Sequence, residues 1–319
     1  MSMEFGNLVN AIAGDGRISA EEILQLRRQG WADGKMDPEE AESLFAANDA
    51  CAAPTSEWCD FFVEALSTFI VNTVEPKGYV DEEMADELIA RIDRDGKVGS
   101  MAELELLVRV SEIALNLPSR LKAYALRQLE EAVLHGEGPT RHGQLTPKGI
   151  NETECKLLRR LIFAPGSDRP AAVGKSEAET LFQIKDATLY EVNAADWEKL
   201  FVQGVANYLL GFGGHEPLSA ERAAELEAFM NHQGAGVGAF LGRMLTSRPE
   251  VDGAFASLLD LTPHAADIGE DAAAAAELTA EESDWLADQL EADEELDPME
   301  KALIAFIAEE TGEIVGAQA

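Results

Sequence analysis

The sequence predicts an all-α protein built from repeated helix–loop–helix units. Residues with good helix propensity (Glu, Ala, Leu, Arg and Gln) dominate the chain. Apolar residues recur at helical spacing, and one short motif recurs where helices are expected to begin. No series of segments with alternating β-branched residues is present, so a strand-based fold is not expected.

Two segments show the helical spacing most clearly. The apolar residues of 57–73 form one broad stripe: Trp58, Phe61, Phe62, Ala65, Leu66, Phe69 and Ile70. Segment 103–117 is apolar enough for a central helix, with Leu104, Leu106, Leu107, Val110, Ile113 and Ala114. We predict that both segments are helices of the core.

The recurring motif is an apolar residue, three further residues and then Glu. Its copies begin at Ile18, Met36, Ile150, Val173, Leu278 and Leu296. Similar units begin at Val80 and Val98, with the acid one place off. The intervals Ile18 to Met36, Val80 to Val98 and Leu278 to Leu296 are each 18 residues, which indicates an internal repeat.

A longer duplication suggests the domain organisation. Segment 18–63 resembles segment 150–202, as residues 40–45 and 177–182 illustrate. A length of 319 residues also predicts about two domains. The predicted parts are a first helical domain at 1–134, a linker at 135–146, a related domain at 147–262, an acidic Ala-rich connector at 263–277 and a helix–loop–helix unit at 278–319.

The charge of the chain narrows the choice of partners. Lys and Arg number 25 against 60 Asp and Glu, which gives a formal net charge of −35. A nucleic-acid binder needs a basic face that releases counterions, so we expect no nucleic-acid partner. Self-repulsion at this charge destabilises the compact state, and bound cations or a basic protein partner would relieve it.

Two further features concern the cellular location. The chain has no apolar run of 18 residues, and its first four residues lack a basic signal-peptide segment. Cys51, Cys59 and Cys155 form a sparse, odd set without metal-site spacing. Such cysteine usage is typical of a reducing compartment. We therefore expect a cytoplasmic protein without membrane insertion.

Four copies of the motif lie in acidic loops, at 15–22, 33–40, 93–103 and 293–300. Carboxylate and hydroxyl oxygens in these loops are the kind of ligand that Ca²⁺ takes. The candidate metal ligands are Asp15, Ser19, Glu22, Asp33, Asp37, Glu40, Asp93, Asp95, Glu103, Asp293, Asp297 and Glu300. With two or three carboxylates per loop, we expect a dissociation constant no tighter than about 10⁻⁴–10⁻³ M for Ca²⁺ or another divalent ion.

The pattern Asp-Gly-x-apolar-[Ser/Asp]-x-x-Glu resembles the second half of an EF-hand calcium loop. There the Gly permits a sharp turn, the next carbonyl ligates and the final Glu chelates the ion. The copies depart from a full loop at other ligand positions. Ala11 and Ala13 replace acids in the first copy, and Ala102 stands at the chelating position of the third, with Glu103 one step late.

The 18-residue interval leaves room for one helix shared by two loops. This arrangement resembles TerB-like (tellurite-resistance-associated) helical domains, in which Ala-Asp-Gly followed by Glu recurs between short helices. Ala32-Asp33-Gly34 through Glu40 is the best match. The resemblance implies a helical domain with degenerate EF-hand-like loops.

Helix capping explains the same residues without a metal ion. Gly ends a helix in the left-handed conformation, and the following Ser or Asp is a good N-cap. A Glu three residues later completes a capping box, as Asp37 and Glu40 illustrate. Pro38 suits the first helical position. Both interpretations stay open at this point.

The chain lacks a P-loop, a dinucleotide-binding glycine motif and a nucleophile elbow. The leading functional prediction is a non-enzymatic binding or scaffold protein with divalent-ion sites in its acidic loops. The first alternative is a purely structural interaction module that binds a basic protein. The second is an enzyme of unrecognised type, which would need a pocket with convergent polar groups.

Overall fold

The computed structural model describes residues 5–7, 9, 17–30, 36–51, 54–73, 76–94, 96–141, 148–165, 173–210, 280–290 and 296–311. These residues confirm the all-α fold class. The helices are α1 (Ala20–Gly30), α2 (Pro38–Ala50), α3 (Ser56–Thr73), α4 (Glu82–Ile92), α5 (Met101–Ile113), α6 (Ser119–His135), α7 (Glu152–Ile162), α8 (Lys175–Thr188), α9 (Trp197–Leu209), α10 (Ala280–Leu290) and α11 (Pro298–Thr311). Residues 5–7 and 9 are also helical.

Two short elements interrupt the helices. Strands β1 (Asp93–Arg94) and β2 (Lys97–Val98) form an antiparallel ladder inside the third acidic loop. A 3-10 helix covers Pro139–Arg141, within the segment predicted as a linker, and its Thr140 and Arg141 are buried. None of the described helices is both long and apolar enough to cross a membrane.

The packing of α3 along α5 forms much of the core. Fully buried side chains on α3 include Trp58, Phe61, Phe62, Ala65 and Leu66. The prediction of a helix over 57–73 is confirmed. The predicted helix over 103–117 instead ends at Ile113. It ends early because Asn116 forms a parallel bridge with Tyr79, and because Leu117 precedes Pro118, where helical backbone is disfavoured.

Helices from both predicted halves share one hydrophobic cluster. Helix α6 packs on α5, α7 and α8, while α9 packs on α8 and α11. Phe182 of α8 meets Phe201 of α9 and Trp285 of α10 in edge-to-face contacts with ring centroids 5.1 and 5.7 Å apart. All described residues belong to one compact unit, and residues 211–279 lie outside the described ranges. The domain boundaries stay predictions.

Trp58 and Trp197 provide a matched test of the core. Both side chains are fully buried, but Trp58 Nε1 donates to Asn48 Oδ1 at 3.2 Å, whereas Trp197 Nε1 has no hydrogen-bond partner among the described residues. Trp58→Phe leaves the Asn48 oxygen unpaired, so it should lower the free energy of unfolding by about 1–3 kcal/mol more than Trp197→Phe does. Urea unfolding followed by circular dichroism measures the difference. Equal losses would contradict this interpretation of the two sites.

Candidate functional site

The copies of the recurring motif share one geometry, that of a helix start. At the beginning of five helices, a Glu carboxylate accepts the backbone N–H of the residue three places earlier: Glu22 from Ser19, Glu40 from Asp37, Glu154 from Asn151, Glu177 from Gly174 and Glu300 from Asp297. In α2 the box is complete, because Glu40 N donates to Asp37 Oδ1 at 2.9 Å. In α11 the equivalent distance from Glu300 N to Asp297 Oδ1 is 3.0 Å.

Six of the candidate metal ligands therefore act as helix caps: Ser19, Glu22, Asp37, Glu40, Asp297 and Glu300. Asp15, Asp33, Asp95 and Asp293 lie outside the described residues. Capping by itself does not explain how the negative charge of a buried Glu is neutralised. Glu40, Glu154, Glu177 and Glu300 are buried, and a buried carboxylate needs a cation or several hydrogen bonds.

Lys185 of α8 supplies the cation for the buried carboxylates at the start of α11. Its fully buried Nζ donates to Asp297 Oδ2 at 2.5 Å and to Glu300 Oε1 at 2.7 Å, and it lies 2.6 Å from Asp186 Oδ1. The three carboxylates place oxygens within 4.8 Å of one another, which is a spacing suited to a metal ion. Here the Lys185 ammonium group binds all three, so a protein cation takes the part that a metal ion would play.

The pKa values in this cluster reflect the same balance. Burial by itself raises the pKa of Asp297, but hydrogen bonds from Lys185 and from the Glu300 and Met299 N–H groups outweigh burial and hold that pKa below its ordinary 3.8. Burial lowers the pKa of Lys185, but its hydrogen bonds to Asp186, Asp297 and Glu300 outweigh that effect and raise the pKa. Both groups are therefore charged at neutral pH.

Arg141 neutralises Glu154 at the start of α7. Its Nε donates to Oε1 and its Nη2 to Oε2, both at 2.7 Å, which is the bidentate arrangement that an Arg–carboxylate pair favours. The same Nη2 donates to the Gly149 carbonyl at 2.6 Å, and Thr140 Oγ1 donates to Glu154 Oε1 at 2.7 Å. These contacts anchor the 3-10 helix on α7.

Lys122 plays the corresponding part for α8. Its Nζ lies 3.0 Å from Glu177 Oε1 and donates to the Ile162 carbonyl at 3.3 Å. Lys122 belongs to α6, so this pair ties α6 to the start of α8 and the end of α7. Lys122, Arg141 and Lys185 are the functional residues that sequence reasoning missed. A cation at helical spacing from apolar residues, as at Lys185 four residues after Leu181 and three after Phe182, is the signal that the sequence offers.

The third acidic loop differs from the others. Asp93 Oδ1 accepts the Gly96 N–H at 2.6 Å, which closes the turn between β1 and β2. Glu103 Oε2 accepts from Ser100 Oγ at 2.9 Å. The fully buried Glu103 Oε1 has no hydrogen-bond partner among the described residues, and the Arg94 guanidinium lies 3.6 Å away from it. Burial raises the pKa of Glu103. Among the described residues, Asp93 and Glu103 belong to no group of three or more side chains spaced to hold a metal ion.

A cleft of about 1070 Å³ lies against α3 and α5. Most charges around it are paired: Arg160 binds Glu105 and Glu112 at 2.7 Å each, and Glu64 binds Arg27 at 2.5 Å. Cys59 also lines the cleft, and burial raises the pKa of its thiol, which keeps it protonated and weakly nucleophilic. No His lines this cleft among the described residues, so Cys59 has no imidazole base there.

Comparisons with known proteins found no match among family models, curated proteins or solved structures. The resemblance to TerB-like domains therefore stays a prediction.

Removing the Lys185 cation tests the buried cluster. In Lys185→Met the Asp297 and Glu300 carboxylates lose their cation, and the free energy of unfolding should fall by about 3–5 kcal/mol at pH 7. Protonation of the two acids relieves that loss. The difference between wild type and variant should therefore shrink as pH falls from about 7 to about 4, while the wild type loses the contribution of Asp297 only as pH falls through its depressed pKa.

A matched control separates charge from packing. The triple variant Lys185→Met, Asp297→Asn, Glu300→Gln removes the cation and both buried acids, yet Asn and Gln can still make the cap hydrogen bonds. It should recover most of the lost stability in the same urea titrations. A triple variant no more stable than Lys185→Met would show that the lysine acts through packing rather than charge.

Proposed function

We propose that this protein is a non-enzymatic binding protein that docks a basic protein partner on its acidic surface. One observation carries the proposal. Buried acids are neutralised by cations of the chain, as at Glu154, Glu177 and Glu300, whereas a dense group of exposed acids has little compensation. The chain has 25 Lys and Arg for 60 Asp and Glu. Because some of these cations pair with buried acids, fewer remain to neutralise the acids of the surface.

The densest such group is the α4 acidic patch: Asp81, Glu82, Glu83, Asp86 and Glu87, all exposed. Among the described residues, Arg120 is the cation that forms ion pairs with this patch, with Glu82 at 2.8 Å and Asp86 at 2.5 Å, while Arg91 of the same helix pairs with Glu42 and Asp49 instead. Five carboxylates against one guanidinium leave a charge of −4.

Helix formation accounts for only part of this patch. Asp81 caps α4 by accepting the Met84 N–H at 2.8 Å, and acids in the first turn favour the helix dipole. Glu83 and Glu87, however, are like charges four residues apart, and such pairs destabilise a helix by roughly 0.2–0.5 kcal/mol. Neither makes an ion pair within the described part of the chain. A Lys- or Arg-rich segment docked along α4 would relieve this repulsion.

A Lys-rich peptide with Gly and Ser spacers is a suitable probe. Its binding, followed by fluorescence anisotropy, should weaken by at least about tenfold between roughly 50 and 500 mM salt, because exposed charges are screened. Glu83→Gln/Glu87→Gln should weaken binding more than the control Glu21→Gln/Asp60→Asn, which removes the same charge from exposed sites elsewhere. Binding that ignores salt, or equal losses in the two variants, would refute docking on this patch.

A second candidate function is weak binding of a divalent ion at the 93–103 loop. The buried Oε1 of Glu103 accepts no hydrogen bond from the described residues, and this supports the candidate, since an added cation would satisfy that oxygen. Asp93 lies in the same loop, as the EF-hand resemblance requires. The Arg94 guanidinium, 3.6 Å from Glu103 Oε1, would have to move aside.

Thermal unfolding tests this second candidate. Millimolar Ca²⁺, Mg²⁺ or Mn²⁺ should raise the melting temperature of the wild type by several degrees if the ion binds the folded state. Glu103→Gln should abolish the rise, whereas Glu177→Gln, which changes another buried capping acid, should keep it. No ion-dependent shift in the wild type would leave the acidic loops as helix caps.

A further inference from the structure

The loop between α8 and α9 presents two large side chains to solvent. Tyr190 is 95% exposed and Val192 is 93% exposed, compared with 49% for Leu24 and 59% for Leu115. Single exposed apolar residues are common on protein surfaces and need no explanation. Two of them, almost wholly exposed and two residues apart, add nothing to the core and invite a binding role.

The backbone of this loop is nevertheless held firmly. Asn193 acts as a clamp, because its Oδ1 accepts from Ile150 N at 3.0 Å and its Nδ2 donates to Thr188 O at 2.8 Å. Ala194 N donates to Ile150 O at 2.8 Å, which ties the loop to the start of α7. The Tyr190 and Val192 side chains take no part in these bonds. The fold therefore fixes the loop without using the two side chains.

Gly149 adds a close backbone approach. It has a φ of +115°, and a Cβ placed there would lie 2.7 Å from the Val192 carbonyl oxygen. Only glycine fits this position without displacing the loop. A loop fixed in this way loses little conformational entropy when a partner binds its tip.

The charge around the loop indicates what binds there. Asp186 is already paired with Lys185. Segment 187–199 carries the exposed acids Glu191, Asp196 and Glu198 against Lys199, which leaves a charge of −2. A second copy of this chain would bring a net −35 towards this surface, which opposes self-association. A cationic partner that also offers an apolar contact fits both features.

We propose that Tyr190 and Val192 form an apolar anchor that holds a Lys- or Arg-rich protein segment bearing an apolar residue beside its charges. The anchor deepens the proposed function and rests on it: exposed acids attract the basic segment, and the two side chains bury its apolar residue. Tyrosine suits this role, because it supplies a large contact area at small entropic cost and is enriched among the residues that dominate binding energies.

Two peptides of equal positive charge test the anchor. One carries Lys with two Leu residues, and the other carries Ser in place of each Leu. At roughly 150 mM salt the wild type should bind the Leu peptide at least about fivefold more tightly, which corresponds to about 1 kcal/mol. Tyr190→Ser/Val192→Ser should abolish this preference and keep the affinity for the Ser peptide. Leu24→Ser, a control at another exposed apolar residue, should keep the preference.

Each other outcome is decisive. A preference that persists in Tyr190→Ser/Val192→Ser overturns the anchor. If the wild type binds both peptides equally and in a salt-dependent way, the anchor is overturned and the acidic docking surface is supported. If the wild type binds neither peptide, the anchor and the acidic docking surface are both overturned. Sedimentation velocity tests whether a second copy of this chain binds these side chains instead. A wild-type dimer that Tyr190→Ser/Val192→Ser abolishes would assign them to self-association and overturn the anchor. Circular dichroism checks that the variant stays folded.

Discussion

The fold depends on neutralising a buried carboxylate at the start of a helix. A helix that begins in the interior leaves backbone N–H groups without partners, and a Glu three places after the N-cap satisfies one of them. That Glu brings a negative charge into the core, where it is unstable without a cation. Arg141, Lys122 and Lys185 supply the cations for Glu154, Glu177 and Glu300. Each pair joins a helix start to another element and fixes their relative position.

The same constraint shapes the surface. The chain has 25 Lys and Arg for 60 Asp and Glu, and every cation placed inside leaves one fewer outside. The α4 acidic patch and the acids around Tyr190 belong to the resulting excess of negative charge. Stability and the proposed binding function are therefore linked. Inside the protein, a protein cation accompanies each of these three capping acids, and outside it a basic partner would supply the charge that the chain lacks.

Local features were predictable from the sequence, and features formed by distant residues were not. Segment 57–73 and the capping boxes depend on neighbours within four residues, so periodicity and spacing suffice to predict them. Lys185 and Glu300 are 115 residues apart, and no spacing rule pairs them. The same carboxylates fit metal ligands and helix caps equally well until their neighbours are known. The exposure of Tyr190 also depends on the fold, because apolar residues in a sequence indicate core by default.

A double-mutant cycle on Arg141 and Glu154 tests the central claim most directly. Glu154→Gln can still make the cap hydrogen bonds to Asn151 while it removes the buried charge, and Arg141→Met removes the cation. Urea unfolding of the wild type, the two single variants and the double variant gives their coupling energy. The account predicts a coupling of at least about 1.5 kcal/mol, with the double variant more stable than Arg141→Met alone. A coupling near zero would show that these buried pairs do not hold the helices in place.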